Sequence, residues 1–247
     1  YSGEVTDCCV ADWAIMDETH CVSQLHLNKR SSLKVTFVAG DFNREGCYCD
    51  LAGLNTSNAL FYTTDLSSWT QITGTLNSLA VGDFNNDGKD DLAGLNSDGL
   101  IYYTTNLSTW NQIPGTLSCL AVGDFNVDGK DELAGLNASN QIFYTTNMAT
   151  WNPVPGTIEK LVTGDFNNDG KDGLAGLNSA GLIYYTTNLS TWTQVPGMLD
   201  DLIVGDFNND GFDDLAGLNA QGYVYYTINL TSWSQVPGTI TDLLSTD

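Results

Sequence analysis

An acidic, glycine-centred segment recurs along the chain and carries the residues best suited to chemistry. It reads GDFNNDGKDDLAGLN from Gly82 to Asn96 and returns with few changes three more times. Counted from its first Asp, oxygen-bearing side chains occupy positions 1, 3, 5 and 9, Gly occupies position 6, and position 7 offers a backbone carbonyl. Alternating oxygen ligands around a glycine turn are typical of a loop that wraps one hard cation, and Ca²⁺ takes about six to eight such oxygens.

The predicted ligands stand at equivalent positions of four repeats, so we expect about four Ca²⁺ sites. They are Asp83, Asn85, Asp87, Lys89 and Asp91; Asp124, Asn126, Asp128, Lys130 and Glu132; Asp165, Asn167, Asp169 and Lys171; and Asp206, Asn208, Asp210, Phe212 and Asp214, where Lys and Phe offer only a carbonyl. The loop differs from an EF-hand because no helix flanks it and Gly94 stands at position 12. Turn formation alone also favours Asp, Asn and Gly, but four copies of one pattern favour an ion.

Two repeats depart from this pattern. The fourth has Gly173 at position 9, which predicts a weaker site or a water ligand. The first reads DFNREGCYCDLAG and keeps Asp41, Asn43 and Glu45, but one extra residue displaces Asp50. A disulfide through Cys47 or Cys49 is the alternative to an ion in that loop.

The spacing of the repeats predicts the fold. The first Asp stands at 41, 83, 124, 165 and 206. Each unit holds four short apolar, β-branched or aromatic runs between Gly, Asn and Asp turns, the last run ending at a Pro-Gly breaker. A four-stranded sheet buries both faces only against neighbouring sheets. We therefore predict an all-β, five-bladed β-propeller of four-stranded antiparallel blades over residues 36–247. A linear β-solenoid is the alternative.

The two ends of the chain fall outside the five units. We predict that residues 1–35 form a short disulfide-rich N-terminal arm or cap. The segment TITDLLSTD at 239–247 matches the first strand of a further unit, so we predict a spare C-terminal strand there. Disulfides are predicted among Cys8, Cys9, Cys21, Cys47, Cys49 and Cys119, with the pairing open, and they indicate an oxidising compartment. A metal site that joins cysteines to His20 and His26 is the alternative, although its spacing fits zinc poorly.

The net charge of the chain and the length of its apolar runs limit the classes of partner that we expect it to bind. The chain has 30 acidic residues against 8 Lys and Arg, a net charge of -22. Such a chain is not expected to bind nucleic acid or an anionic membrane surface. It has no apolar run long enough to span a membrane, so membrane insertion is not expected. The chain opens like a processed N-terminus, and with the cysteines this predicts a secreted, extracellular protein.

Two further recurring features each have two interpretations. The tryptophans could stack on sugars or pack between blades; they are Trp69, Trp110, Trp151, Trp192 and Trp233. The Asn-x-Ser/Thr sequons could carry N-glycans or only form turns; they are Asn55, Asn106, Asn137, Asn188 and Asn229.

The segment VGDFNNDGKDDLAGLN resembles the FG-GAP/VCBS repeat of integrin α-chain propellers and of secreted microbial and fungal proteins. The segments TTNLSTW and QVPGT are similar to those of propeller lectins. The resemblance implies Ca²⁺ in the first hairpin loop of each blade. It favours a non-enzymatic, multivalent carbohydrate-binding lectin with glycans or glycoproteins as partners. The alternative is a glycosylated structural subunit of an extracellular filament or matrix, which self-associates through the N-terminal arm or C-terminal strand. Catalysis is not expected, because both histidines lie outside the repeats.

Overall fold

The computed structural model describes residues 37–46 and 50–241. In these residues it contains five four-stranded antiparallel sheets, and in each sheet every strand pairs with the next one along the chain. We call each sheet a blade and number the blades 1 to 5 in chain order. The predicted all-β class, the antiparallel pairing and the number of sheets are confirmed.

The strands of the first three blades repeat at nearly constant spacing. Blade 1 contains β1 (Phe37–Gly40), β2 (Asp50–Leu54), β3 (Ala59–Thr63) and β4 (Thr70–Thr75). Blade 2 contains β5 (Ser78–Gly82), β6 (Asp91–Leu95), β7 (Leu100–Thr104) and β8 (Asn111–Thr116). Blade 3 contains β9 (Cys119–Gly123), β10 (Glu132–Leu136), β11 (Gln141–Tyr144) and β12 (Asn152–Thr157).

The last two blades continue this order. Blade 4 contains β13 (Lys160–Gly164), β14 (Gly173–Leu177), β15 (Leu182–Thr186) and β16 (Thr193–Met198). Blade 5 contains β17 (Asp201–Gly205), β18 (Asp214–Leu218), β19 (Val224–Thr227) and β20 (Ser234–Val236).

In blades 2 to 5 the second strand is the most buried strand, with all five of its residues buried. All five residues of β6 are buried, although the strand includes Asp91. The Leu-Ala-Gly-Leu sequence suits this position, since small residues let the blades approach. A Cβ on Gly94 would lie 2.4 Å from the carbonyl oxygen of Ser78 and 2.8 Å from Leu76 Cδ1. Only glycine fits there.

The fourth strand runs through the Pro-Gly pair at which we predicted a break. In blade 2, β8 includes Pro114 and Gly115 and ends at Thr116. The register shifts between Leu100 and Ile101, so the pair forms a β-bulge on the outer strand. The prediction of a breaker was wrong in blades 2 to 4, because an edge strand tolerates the missing N–H of proline at a bulge. In blade 5 it is confirmed, since β20 ends at Val236, just before Pro237.

The hydrophobic core is divided into four clusters, each formed where two successive blades meet. In the first cluster, Leu60 and Ile72 of blade 1 pack with Leu79 and Leu92 of blade 2. Equivalent residues form the other three clusters. The first strands contact one another in the order β1, β5, β9, β13 and β17, whereas β17 does not pack against β1 in this way within the described residues.

Several predictions concern residues outside the described part of the chain. The N-terminal arm at 1–35, most of the spare C-terminal strand, and Cys8, Cys9, Cys21, Cys47 and Cys49 all lie there. The division into an arm and a repeat domain therefore stays a prediction. Across residues 37–46 and 50–241, the structure has no helix whose length and apolar character would suit a membrane span.

Candidate functional site

The acidic loops join the first and second strands of each blade, as predicted. In blade 2 the loop begins after Gly82, the last residue of β5, and ends where Asp91 begins β6. Because every blade has the same strand order, the five loops lie at the same end of their blades. Each loop turns through two left-handed residues, which in blade 2 are Asn86 at φ 59° and Gly88 at φ 78°.

The first Asp of each loop organises the turn by accepting backbone hydrogen bonds. The carboxylate of Asp83 accepts the N–H groups of Asn85 at 3.3 Å, Asp87 at 3.1 Å and Gly88 at 2.8 Å. The equivalent carboxylates of Asp124, Asp165 and Asp206 accept the N–H of the position-6 glycine at 2.9, 2.7 and 2.8 Å. The loops are therefore tight turns around a carboxylate.

The side chains at positions 3, 5 and 9 converge. In blade 3, Asn126 Nδ2 donates to Glu132 Oε1 at 2.5 Å and to Asp128 Oδ2 at 3.2 Å. Asn167 and Asn208 donate to the position-5 carboxylates of Asp169 and Asp210 at 2.8 and 2.9 Å. In blade 3 the amide N–H₂ group of position 3 therefore lies between two carboxylates, whereas in blades 4 and 5 it faces the position-5 carboxylate.

Loop 2 presents an oxygen instead. Asn85 Oδ1 is buried and has no hydrogen-bond partner among residues 37–46 and 50–241. A buried acceptor without a partner is costly, so it marks a position that favours a donor or a cation. Rotation of an Asn amide by half a turn exchanges its nitrogen for its oxygen. The position-3 residues of the other loops can therefore present an oxygen to a cation in the same way.

The carboxylates at position 9 are buried among other acids. Burial, together with the nearby charges of Asp87 and Asp83, raises the pKa of Asp91 to about 8. Burial, with Asp128 and Asp124 nearby, raises the pKa of Glu132 to about 7. Each also accepts the backbone N–H of the loop phenylalanine, Phe84 or Phe125, at 3.1 Å. A cation among these oxygens would offset both the burial and the repulsion.

The residues present suit Ca²⁺ better than a metal that prefers nitrogen or sulfur. Within the described residues, no three His, Cys, Asp or Glu side chains are grouped as a metal site by themselves. An ion in these loops would therefore depend on Asn and backbone oxygens besides the carboxylates, a ligand set that Ca²⁺ accepts. The position-7 residues Lys89, Lys130, Lys171 and Phe212 each donate their N–H to the position-5 carboxylate at 2.9 to 3.0 Å.

The two divergent loops keep part of this arrangement. In blade 1, Asp41 accepts the N–H groups of Glu45 at 3.0 Å and Gly46 at 2.8 Å, and Asn43 Oδ1 accepts the Glu45 N–H at 3.0 Å. Asp50 accepts the Phe42 N–H at 2.8 Å, and its other oxygen is buried without a partner. Asp50 thus takes the role of position 9 despite the inserted residue. In blade 4, Gly173 leaves that role unfilled.

Sequence reasoning missed the role of the Asp at loop position 8. Asp131 Oδ2 accepts the N–H of Asp83 at 2.7 Å, while the Asp131 N–H donates to the Asp83 carbonyl at 3.0 Å. The same two hydrogen bonds join Asp90 to Asp41, Asp172 to Asp124 and Asp213 to Asp165. Position 8 therefore connects the loop of one blade to the loop before it. Its repetition in units two to five was a signal available in the sequence.

Four of the five tryptophans that recur in the repeats lie at the junctions between blades. Trp110, Trp151, Trp192 and Trp233 each donate Nε1–H to a backbone carbonyl of the preceding blade, at 2.5 to 2.9 Å. Each of these indoles also lies over a glycine of that blade, as Trp110 lies over Gly74. They remain partly exposed. Trp69, in blade 1, is 56% exposed.

The sequons occupy two kinds of turn. Asn106, Asn188 and Asn229 follow the third strand, and each side-chain oxygen accepts two backbone N–H groups from the next turn. Asn55 and Asn137 follow the second strand and accept two backbone N–H groups likewise. All but Asn137 are exposed. The turn interpretation is therefore supported at all five positions, and glycosylation stays a prediction.

Cys119 is the one predicted disulfide residue within the described segments. It begins β9, is partly buried, and forms no disulfide there. Burial raises the pKa of its thiol. The other five cysteines lie outside the described residues, so the predicted disulfides stay predictions.

Comparison with solved structures supports the propeller fold. Virginiamycin B lyase from Staphylococcus aureus is 14% identical over 87% of this chain and 73% of its own, with a TM-score of 0.60. BBS1N in complex with ARL6DN is 11% identical over 83% of this chain and 69% of its own, with a TM-score of 0.58. YCF48 from Cyanidioschyzon merolae is 14% identical over 84% of this chain and 74% of its own, with a TM-score of 0.51. At these identities the similarity shows the fold alone.

Comparison with protein families gives a more specific result. A search of curated protein sequences finds no match. The model of the Tectonin domain matches residues 45–157 and 83–243, which together include most of the five blades. The resemblance to FG-GAP/VCBS repeats stays a prediction, whereas the propeller that it implied is supported. The chain belongs to the Tectonin domain family, a family of β-propellers.

Proposed function

We propose that this chain is a secreted, non-enzymatic propeller that binds Ca²⁺ in its acidic loops and carbohydrate at repeated sites between its blades. Tectonin domains are often lectin-like, which supports the carbohydrate part of the proposal. The cysteines and sequons support secretion. We include no catalytic activity in the proposal, because both histidines of the sequence lie outside the repeats.

The observation that carries the carbohydrate proposal is a surface repeated at three of the four junctions between blades. A partly exposed indole, such as Trp110, is followed by two exposed polar residues at the start of the outer strand, Asn111 and Gln112. Trp192 with Thr193 and Gln194, and Trp233 with Ser234 and Gln235, repeat this arrangement. An indole face suits the C–H surface of a sugar ring, and the amide and hydroxyl groups suit its hydroxyls. Several weak sites on one molecule raise the avidity.

The calcium proposal is carried by the converging oxygens of positions 1, 3, 5 and 9. In loop 2 the ligands would be the side-chain oxygens of Asn85, Asp87 and Asp91. In loop 3 they would be those of Asp128, Glu132 and Asn126, the last after its amide rotates by half a turn. The buried oxygen of Asn85 has no other partner. The role of the ions would be structural, since they would fix acidic turns at one end of the blades. We expect loop 4 to bind more weakly than loops 2, 3 and 5.

A glycan array with the full-length protein tests the carbohydrate function. We expect saturable binding to a subset of glycans that free sugar competes away. Replacing the outer-strand glutamines together, as Gln112→Ala, Gln194→Ala and Gln235→Ala, should lower the avidity at least tenfold. The matched control is Asp98→Ala, a change in an exposed turn away from the junctions. A folded protein that shows no saturable glycan binding would overturn the proposal.

A second candidate function is a glycosylated structural subunit of an extracellular filament or matrix. The specific observation in its favour is the exposure of large apolar side chains on blades 1 and 5, including Trp69, Phe207 and Ile240. Filaments in electron micrographs of the protein, without any glycan preference on the array, would favour this candidate over the lectin.

A further inference from the structure

The last blade exposes a face that every other blade buries. Val236 is 42% exposed, whereas its equivalents in the four preceding blades are at most 3% exposed: Ile72, Ile113, Val154 and Val195. Phe207 is 45% exposed, against at most 6% for Phe42, Phe84, Phe125 and Phe166. Ile240 is 43% exposed, against at most 6% for Leu76, Leu117, Ile158 and Leu199. We call Phe207, Val236, Pro237, Gly238 and Ile240 the trailing face.

The first blade exposes the opposite half of the same kind of junction. Trp69 is 56% exposed and Leu66 is 62% exposed, while the equivalent Leu189 in blade 4 is 4% exposed. Next to them an apolar cleft of about 540 Å³ is lined by Phe37, Leu51, Gly53, Leu54, Phe61 and Trp69. We call Phe37, Leu51, Phe61, Leu66 and Trp69 the leading face.

The leading and trailing faces are complementary, because at each of the four internal junctions the equivalent face of one blade packs against the equivalent face of the next. At each internal junction the indole of one blade donates to a carbonyl of the blade before it, as Trp233 donates to Pro196. The linker leucine or isoleucine packs against a glycine of the following blade, as Leu76 approaches Gly94. Trp69 has the indole but no hydrogen-bond partner among the described residues. In the described part of the chain nothing lies within 4 Å of the place where a Cβ on Gly238 would be, whereas Gly74, Gly115, Gly156 and Gly197 each face an indole.

We infer that a second copy of this chain covers each end, with the leading face of one copy on the trailing face of the next. The two faces differ in sequence, so the contact is heterologous and leads to a closed ring of chains or an open filament. In this contact Trp69 donates to the Pro237 carbonyl of the neighbouring copy, and Ile240 of that copy enters the cleft beside Gly53. A contact of this kind resembles a domain core cut in half, which is typical of a stable homo-oligomer.

The competing arrangement is a ring in which blade 5 of a chain packs against blade 1 of the same chain. The contacts between successive blades disfavour it. The first strands of successive blades pack in order, yet β17 does not pack against β1 within the described residues. Each internal junction is held by a hydrophobic cluster, an indole hydrogen bond and the paired loop hydrogen bonds of position 8. To bring the two end faces together, a chain would have to change these junctions. The inference goes beyond the carbohydrate proposal and does not depend on it.

Two variants, each defective in one face, test the inference. Leu66→Asp with Trp69→Ala removes the leading face, and Val236→Asp with Ile240→Asp removes the trailing face. The control is Met198→Asp, since Met198 is 67% exposed and belongs to neither face. The mass of each full-length protein is measured by light scattering after size exclusion over about a hundredfold range of concentration. A denaturing gel without reductant excludes species that are held by disulfides.

We expect the mass of the wild type and of the control to rise with concentration from one chain to two or more. Each defective variant alone should remain a monomer, with association weakened at least a hundredfold. An equimolar mixture of the two variants should form dimers and nothing larger, because only one intact pair of faces remains. A wild type that is monomeric throughout, with closed or otherwise covered ends, would overturn the inference. Self-association by either variant alone would also overturn it.

Discussion

Asp131 and Asp83, in adjacent blades, are joined by two hydrogen bonds that run in opposite directions. The Asp131 carboxylate accepts the Asp83 N–H at 2.7 Å, and the Asp131 N–H donates to the Asp83 carbonyl at 3.0 Å. Asp83 also begins the acidic loop of blade 2. The pair therefore connects the loop that is proposed to hold an ion with the junction that stacks the blades.

We predict that Asp131→Ala destabilises the protein by about 1–3 kcal/mol, because it leaves the Asp83 N–H without its acceptor. Asp131→Asn should cost less than about 1 kcal/mol, since the amide oxygen still accepts that hydrogen bond. Burial raises the pKa of Asp131 to about 6, so a neutral side chain suits the site. Urea unfolding followed by tryptophan fluorescence measures both values. Equal losses in the two variants would show that the hydrogen bond is not what stabilises the junction.

The junction tryptophans should differ from Trp69 in their effect on stability. Trp192→Ala removes a partly buried indole and its 2.7 Å hydrogen bond to Pro155, so we expect a loss of about 3–5 kcal/mol. Trp192→Phe keeps most of the packing and should cost about 1 kcal/mol. Trp69→Ala, measured at a concentration where the protein is a monomer, should cost less than about 1 kcal/mol. A large loss at Trp69 in the monomer would indicate that another part of the chain covers it.

A substitution at Asn85 distinguishes the contribution of calcium binding to stability from that of turn formation. The Asn85 side-chain oxygen accepts no hydrogen bond, so Asn85→Ala should change stability without Ca²⁺ by less than about 1 kcal/mol. The same variant should lose one calcium ligand, with Kd at that site raised about tenfold and about 1.4 kcal/mol of calcium-dependent stabilisation lost. Calorimetric titration and melting curves with Ca²⁺ or a chelator measure both effects. Melting that is identical with and without Ca²⁺ in the wild type would contradict the calcium proposal.

The first repeat indicates how to remove a sequon without disturbing its turn. Asp65 stands where Asn106, Asn188 and Asn229 stand in other repeats, and it accepts the N–H groups of Ser67 and Ser68 at 2.9 Å. These hydrogen bonds hold the pKa of the Asp65 carboxyl well below its usual range. We therefore expect Asn188→Asp to change stability by less than about 0.5 kcal/mol. Asn188→Ala leaves the backbone N–H groups of Ser190 and Thr191 without their acceptor and should cost about 1–2 kcal/mol.

The same variant tests whether Asn188 carries an N-glycan. The Asn188→Asp variant and the wild type are expressed in a eukaryotic secretory host, and their masses are compared by mass spectrometry. If Asn188 carries an N-glycan, the variant should lose the mass of one glycan while its melting temperature stays unchanged. The Asn106 sequon serves as the internal control, since its turn has the same hydrogen bonds and is left intact. An unchanged glycan mass would show that the Asn188 sequon serves only as a turn.

The sequence by itself determined the repeat, the strands and the turns. The 41-residue spacing predicted five sheets because short β-branched and aromatic runs between glycine and asparagine turns favour antiparallel pairing, and the strands follow those runs. The positions of the acidic loops between first and second strands were also predictable. These features depend on residues close together in the chain, where local pattern is informative.

Only the tertiary structure decided what each recurring residue does between blades. Asp131 looked like one more acid of its own loop, yet its partner is Asp83, 48 residues earlier. Trp110 likewise acts across a junction, because its Nε1–H donates to the Thr73 carbonyl, 37 residues earlier. Trp69 and Ile240 occupy the same repeat positions as buried residues and are nevertheless exposed. The position of a residue in its repeat determines its backbone conformation. Its burial depends on whether a neighbouring blade covers it, and only the stacking of the blades decides this.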